Sequence, residues 1–103
     1  GGDMDSMIEL IESFEDEGPR LMQQMKEAST ASNLEILGRA AHTMKSSARD
    51  FGATELSRLC GVMEHQCRAG ELAGTLELLN TIESEFARAM NELATFKATC
   101  RNN

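Results

Sequence analysis

Apolar residues recur along this chain at helical spacing, in four sets separated by polar or glycine-bearing breaks. In the first, Met4, Ile11 and Met25 fall in step around Gly18, with Met7, Phe14 and Leu21 interleaved. The second alternates Leu34, Ala41 and Ala48 with Leu37, Met44 and Phe51. The third sets Cys60 and Cys67 beside Leu56 and Met63. The fourth steps through Leu72, Leu79, Phe86, Leu93 and Cys100, flanked by Leu76, Ile82, Met90 and Phe96. Steps of three and four residues place each set on one face of a helix. No strand-like alternation competes.

The breaks carry stop and start signals. Residues 29–33 form a polar connector, in which Ser32 with Glu35 fits a capping box opening the second helix. Gly52 and Gly70 are placed to close the second and third helices in left-handed conformation. Short connections between amphipathic helices force antiparallel neighbours, so the pattern predicts an all-α, antiparallel up-down four-helix bundle. One domain is expected over residues 3–101, with a short N-terminal capping segment over the bundle end left open. Gly18-Pro19 interrupts the first set, since proline removes a backbone donor and crowds the carbonyl of Glu15. The expectation there is a kinked helix, with two separate helices as the alternative. The last helix is expected from about residue 72 to 99, long enough at ~1.5 Å per residue to outrun the bundle.

Composition narrows the function classes. With 103 residues the chain suits one domain, and a single Pro, no Trp and no Tyr agree with an all-helical reading. A net charge of −7 argues against nucleic acid, whose phosphates reward clustered Lys and Arg. No apolar run approaches the ~20 residues of a membrane span, and no signal-peptide pattern opens the chain. Gly1-Gly2 is set aside as a cloning remnant. Three cysteines without paired spacing point to reduced thiols and a cytoplasmic setting.

Chemistry concentrates in the second set. His42 lies off the Leu37–Ala41–Met44–Ala48 stripe, toward solvent, with Gly38 and Ser46 one turn to either side. Between Arg39 and Arg49 stand three cations and only carboxylate-free positions, a local reversal of the acidic balance. Gly38 costs its helix roughly 0.8–1 kcal/mol relative to Ala, which implies that something approaches closely there. The cations disfavour imidazolium and leave a ring nitrogen free to attack phosphorus, while stabilising the transferring charge. A solvated surface histidine is the plain alternative. Elsewhere, His65 reads as a surface residue, Cys60 and Cys67 as core, and no metal site is expected, because these three do not share a helical face.

The stretch His42-Thr43-Met44-Lys45-Ser46-Ser47-Ala48-Arg49-Asp50-Phe51-Gly52 resembles the signature of histidine-containing phosphotransfer (HPt) domains of multistep phosphorelays. That signature runs His, any residue, apolar, Lys, Gly, two small residues, two variable ones, apolar, Gly. The flanking "GRAAH" and "GATELSRLCGVMEHQCRAG" are similar to the family too, as is the Pro in the first helix, so the resemblance covers nearly the whole chain. It implies that His42 is the phosphorylated residue and that Lys45 assists the phosphoryl group. Ser46, standing where the family most often has Gly, keeps access open and could hydrogen-bond near the ring or phosphoryl oxygens. Gly52 is then the closing motif glycine, while Gly38, Arg39 and Arg49 serve docking and steering. The implied partners are response-regulator receiver domains as phospho-aspartate donor and acceptor, with Mg²⁺ bound by the receiver and not by this chain. A hybrid sensor histidine kinase is the implied parent if the domain is excised. No Gly-rich phosphate loop or kinase motif is present, so a phosphocarrier is expected, not an enzyme acting on ATP. The runner-up is a helical module that only docks or dimerises.

Overall fold

The computed structural model describes residues 2–102, which form four helices: α1 (Gly2–Thr30), α2 (Leu34–Asp50), α3 (Thr54–Arg68) and α4 (Thr75–Asn102). Each packs on its neighbour in sequence, and α4 closes the ring against α1, leaving α1/α3 and α2/α4 across the diagonals. The molecule measures 47 × 20 × 20 Å. The first and last helices, 29 and 28 residues long, outrun α2 and α3 and are tied to each other by ion pairs. Lys97 meets Glu15 at 2.6 Å, and Arg101 meets Glu12 at 2.7 Å.

Most residues of the predicted stripes form the core, while Met4 and Met7 at the start of α1 and Phe96 near the end of α4 are exposed. Ile11, Met25, Leu37, Met44, Leu56, Met63 and Ile82 are all but fully buried. Phe14 lies against the rings of Phe51 and Phe86, with centroids 5.3 and 6.0 Å away. Burying such side chains contributes roughly 1.5–3 kcal/mol apiece, which makes the stripes the main support of the bundle.

Three helix ends share one device. Ser32, Gly52 and Gly70 adopt φ of 56°, 70° and 75°. At each, the next amide donates five residues back: Asn33 to Ala28 (2.8 Å), Ala53 to Ala48 (2.9 Å), Glu71 to Gln66 (3.0 Å). This is the Schellman closure that satisfies the last carbonyls of a helix. Gly52 and Gly70 thus act as the sequence indicated. Ser32 does not: it ends α1, and the cap of α2 is Asn33, whose side chain accepts from the Ile36 amide at 3.1 Å. Asparagine competes equally well for that position.

The other departures lie in the long helices. α1 is a single helix through Pro19, which is exposed, and it begins at Gly2, leaving no separate N-terminal capping helix among the described residues. Gly18 explains how the register survives: a Cβ there would sit 2.8 Å from the Phe86 ring, which occupies the place of a side chain in that row. α4 starts at Thr75, after Gly74 at φ 81°. Leu72 therefore falls in the loop and Leu76 on the first turn, both exposed, and the seam of α4 runs through Leu79, Ile82, Phe86 and Ala89.

Candidate functional site

The tightest pairing in the bundle, α2 against α3, carries the site. Gly38 is buried at the crossing, where an added Cβ would stand 2.9 Å from the Cys67 Cβ. The close approach expected at Gly38 is therefore made by α3 of the same chain. A second glycine, Gly61, lies under the aliphatic stem of Lys45, with 3.4 Å between the would-be Cβ and Cδ. The Ser57 hydroxyl donates to the Lys45 carbonyl at 3.1 Å, a further tie between the helices.

On this pair His42 stands half in solvent, its side chain 54% exposed. Its Nδ1 lies 2.7 Å from Oε2 of Glu64, a side chain only 6% exposed. Lys45 reaches Oε1 of the same carboxylate at 2.7 Å, and Arg68 Nη2 reaches Oε2 at 2.7 Å. The carboxylate-free surround read from α2 alone is thus corrected, because α3 supplies the carboxylate. Glu64 shares the stripe of Cys60 and Cys67, and a buried carboxylate is stable only with partners. A glutamate four residues after one core cysteine and three before another was the available signal. Neither Glu64 nor Arg68 was picked out by sequence reasoning.

The hydrogen bond from Lys45, then that from His42 and the charge of Arg68, holds the Glu64 carboxyl below its ordinary 4.5, outweighing the burial that would raise it. It is therefore ionised at neutral pH and can only accept. The proton of a neutral imidazole must then sit on Nδ1, leaving the lone pair on Nε2.

Because the folded carboxyl has the lower pKa, its contribution to stability is present above the unfolded value and is lost as pH falls through the folded one. Glu64→Gln is expected to be less stable than wild type at pH 7 by about 1–3 kcal/mol. Thermal melts should show that gap closing below pH 4.5; a gap constant from pH 7 to pH 3 would exclude the ionised carboxylate as its source.

A cleft of about 410 Å³ opens beside the ring, lined by Leu34, Gly38, Arg39, Glu64, Cys67 and Arg68 along with His42. Arg39 pairs with Glu35 at 2.8 Å on its rim. Ser46 is half-buried one turn beyond His42, while Arg49 is exposed in the last turn of α2 and does not line the cleft. Gly52 lies at the end of α2, where it shapes the turn. His65 is exposed, and Cys60 and Cys67 are buried with free thiols. Burial pushes the Cys60 thiol up to about 12 and raises that of Cys67, in keeping with cysteines that pack as small hydrophobes.

A family model described as Hpt domain matches residues 9–95, a span that includes His42, Lys45, Glu64 and Arg68. Neither the comparison with curated proteins nor that with solved structures gives a match.

Proposed function

Because the chain belongs to the Hpt domain family, whose members are helical phosphocarriers of two-component phosphorelays, we propose that His42 is its phosphoryl-carrying residue. The observation that carries this reading is the 2.7 Å contact between His42 Nδ1 and Glu64 Oε2. It anchors one ring nitrogen as a donor and leaves the other unprotonated on a side chain that is 54% exposed.

In the proposed reaction a receiver domain presents an aspartyl phosphate. The Nε2 lone pair attacks phosphorus in line with the leaving oxygen. A P–N bond forms as the P–O bond breaks, and that electron pair returns to the aspartate as carboxylate. The Nδ1 proton stays where it is, and Glu64 balances the positive charge the ring acquires, as the third member of a catalytic triad does for its histidine. Transfer to a second receiver is the reverse reaction. Positioning and charge stabilisation supply most of the rate in such transfers.

Lys45 takes part through its charge and by fixing the carboxylate that orients the ring. Ser46 leaves room beside the ring. Arg39 and Arg49 steer toward the acidic pocket of a receiver, and the cleft beside Gly38 receives part of it. Mg²⁺ belongs to the receiver in this scheme. Among the described residues no helix is long and apolar enough to cross a membrane, and three free thiols fit a reducing compartment, the cytoplasm.

The reading is tested on ¹⁵N-labelled chain phosphorylated by a phospho-receiver, by correlating imidazole nitrogens with ring protons. Phosphorus on Nε2 of His42, with Nδ1 still protonated, is the expected result. Phosphorus on Nδ1, or on any other residue, would overturn it.

A further inference from the structure

The Glu64 carboxylate carries more donors than its own charge requires. Lys45 occupies Oε1, while His42 Nδ1 and Arg68 Nη2 share Oε2, each at 2.7 Å. One negative charge therefore faces two permanent cations and an imidazole. The two cations are held differently. Lys45 is 28% exposed, with its stem laid over Gly61, whereas Arg68 is 74% exposed and commits one of its five N–H groups to Glu64. Arg68 can leave the carboxylate at little packing cost, and Lys45 cannot.

Its position makes that departure useful. Arg68 lines the cleft that opens beside His42. Sharing one acceptor oxygen holds Arg68 Nη2 within twice 2.7 Å of His42 Nδ1, at the inner edge of the ring. A phosphoryl group on Nε2 brings nearly two negative charges and three strong acceptor oxygens. A planar guanidinium recognises such a group with two parallel hydrogen bonds, and is more weakly hydrated than an ammonium. Arg39, the other guanidinium on the cleft, pairs with the exposed Glu35 of its own helix, so among the described residues Arg68 is the guanidinium held on the carboxylate that orients the ring; Arg49 lies outside the cleft.

We propose that Arg68 is a phosphoryl-binding residue which rests on Glu64 in the unmodified protein and exchanges onto the phosphoryl oxygens when His42 is phosphorylated. The exchange leaves Oε2 to the Nδ1 proton alone, at the moment when the ring carries positive charge. Glu64 thus stores a cation for the phosphorylated state and is itself freed to stabilise the ring. The charged groups around the ring are then Glu35 and Arg39 from α2 and Glu64 and Arg68 from α3, which line the cleft, together with Lys45, which bonds Glu64. Glu35 is the one carboxylate among them besides Glu64, and it pairs with Arg39.

The inference rests on His42 as the phosphorylated residue, and its test keeps the two apart. The chain is phosphorylated with phosphoramidate, which needs no receiver, and the ³¹P resonance of phosphohistidine is followed against pH. A cation in contact holds down the second ionisation of the phosphoryl group. Arg68→Gln is therefore expected to raise the titration midpoint by about one pH unit. Arg68→Lys should restore most of that shift, and Arg88→Gln, an equal charge change on α4 where Arg88 pairs with Glu85, should leave the midpoint at the wild-type value. A midpoint unmoved by Arg68→Gln, or moved equally by Arg88→Gln, would overturn the exchange while leaving His42 as carrier. Absence of phosphohistidine in wild type would instead remove the reading beneath it.

Discussion

Replacing His42 by glutamine is expected to leave the bundle folded and to abolish phosphate acceptance. The loss should be complete, because a covalent carrier has no partial substitute: the amide nitrogen of glutamine has no free lone pair to form a P–N bond. His65 cannot take over, since it is exposed on α3 and does not line the cleft where Glu64 and Arg68 sit. The fold should tolerate the change because the imidazole is half in solvent and outside the packed stripes. Glu64, buried and ionised, keeps Lys45 and Arg68 when the ring is removed, and the new amide can donate in its place. A stability change within about 1 kcal/mol is expected, read as a small shift of the thermal midpoint with the helical circular dichroism intact. A variant that unfolded would show instead that the His42–Glu64 contact is a structural element first.

The second large effect concerns the spacing of α2 and α3. Gly38→Ala and Gly61→Ala each exchange a helical glycine for alanine, and each gains roughly 0.8–1 kcal/mol of helix propensity. They differ in what the new methyl meets. At Gly61 it meets the flexible stem of Lys45 at 3.4 Å; at Gly38 it meets the Cys67 Cβ at 2.9 Å, an atom fixed to the α3 backbone. Only movement of one helix away from the other relieves the second contact. Overpacking of this kind costs about 1–3 kcal/mol, so Gly38→Ala should melt below Gly61→Ala by roughly 4–8 °C for each kcal/mol of difference. Separation of the helices would also lengthen the reach from His42 and Lys45 to Glu64, so phosphate acceptance should slow in Gly38→Ala. Equal melting temperatures for the two variants would mean that the crossing is looser than 2.9 Å implies.

These two positions show what a single sequence makes legible. The solvent-facing side of His42 and most of the four stripes followed from spacing along individual helices, which is local information, whereas the role proposed for His42 rested on the resemblance of residues 42–52 to a family signature. The closures at Gly52 and Gly70 were local too, where φ of 70° and 75° calls for glycine. Glu64, Arg68 and the neighbour of Gly38 depend on how α2 and α3 are rotated against each other. Periodicity gives the face each helix buries but not which residues meet across the crossing, so a carboxylate on one helix could not be matched to a histidine on another. The close approach that Gly38 signals is accordingly with Cys67 of the neighbouring helix, which spacing along α2 does not reveal. The slip from Ser32 to Asn33 as cap has another cause. Both residue types cap well, and only the left-handed backbone at Ser32, φ 56°, decides between them. Leu72 kept the seven-residue step of α4 and Leu76 flanked it, yet the helix begins only at Thr75, after Gly74, and both leucines lie outside the core.

The central claim, that His42 carries the phosphoryl group, is tested most directly by intact mass after incubation with a phosphorylated receiver domain, with wild type and His42→Gln side by side. The account predicts one phosphate on wild type, lost in acid and retained in base, and none on the variant. A well-folded wild type that accepts no phosphate from receivers able to charge a verified relay protein would contradict it, and the bundle would then be a docking module alone.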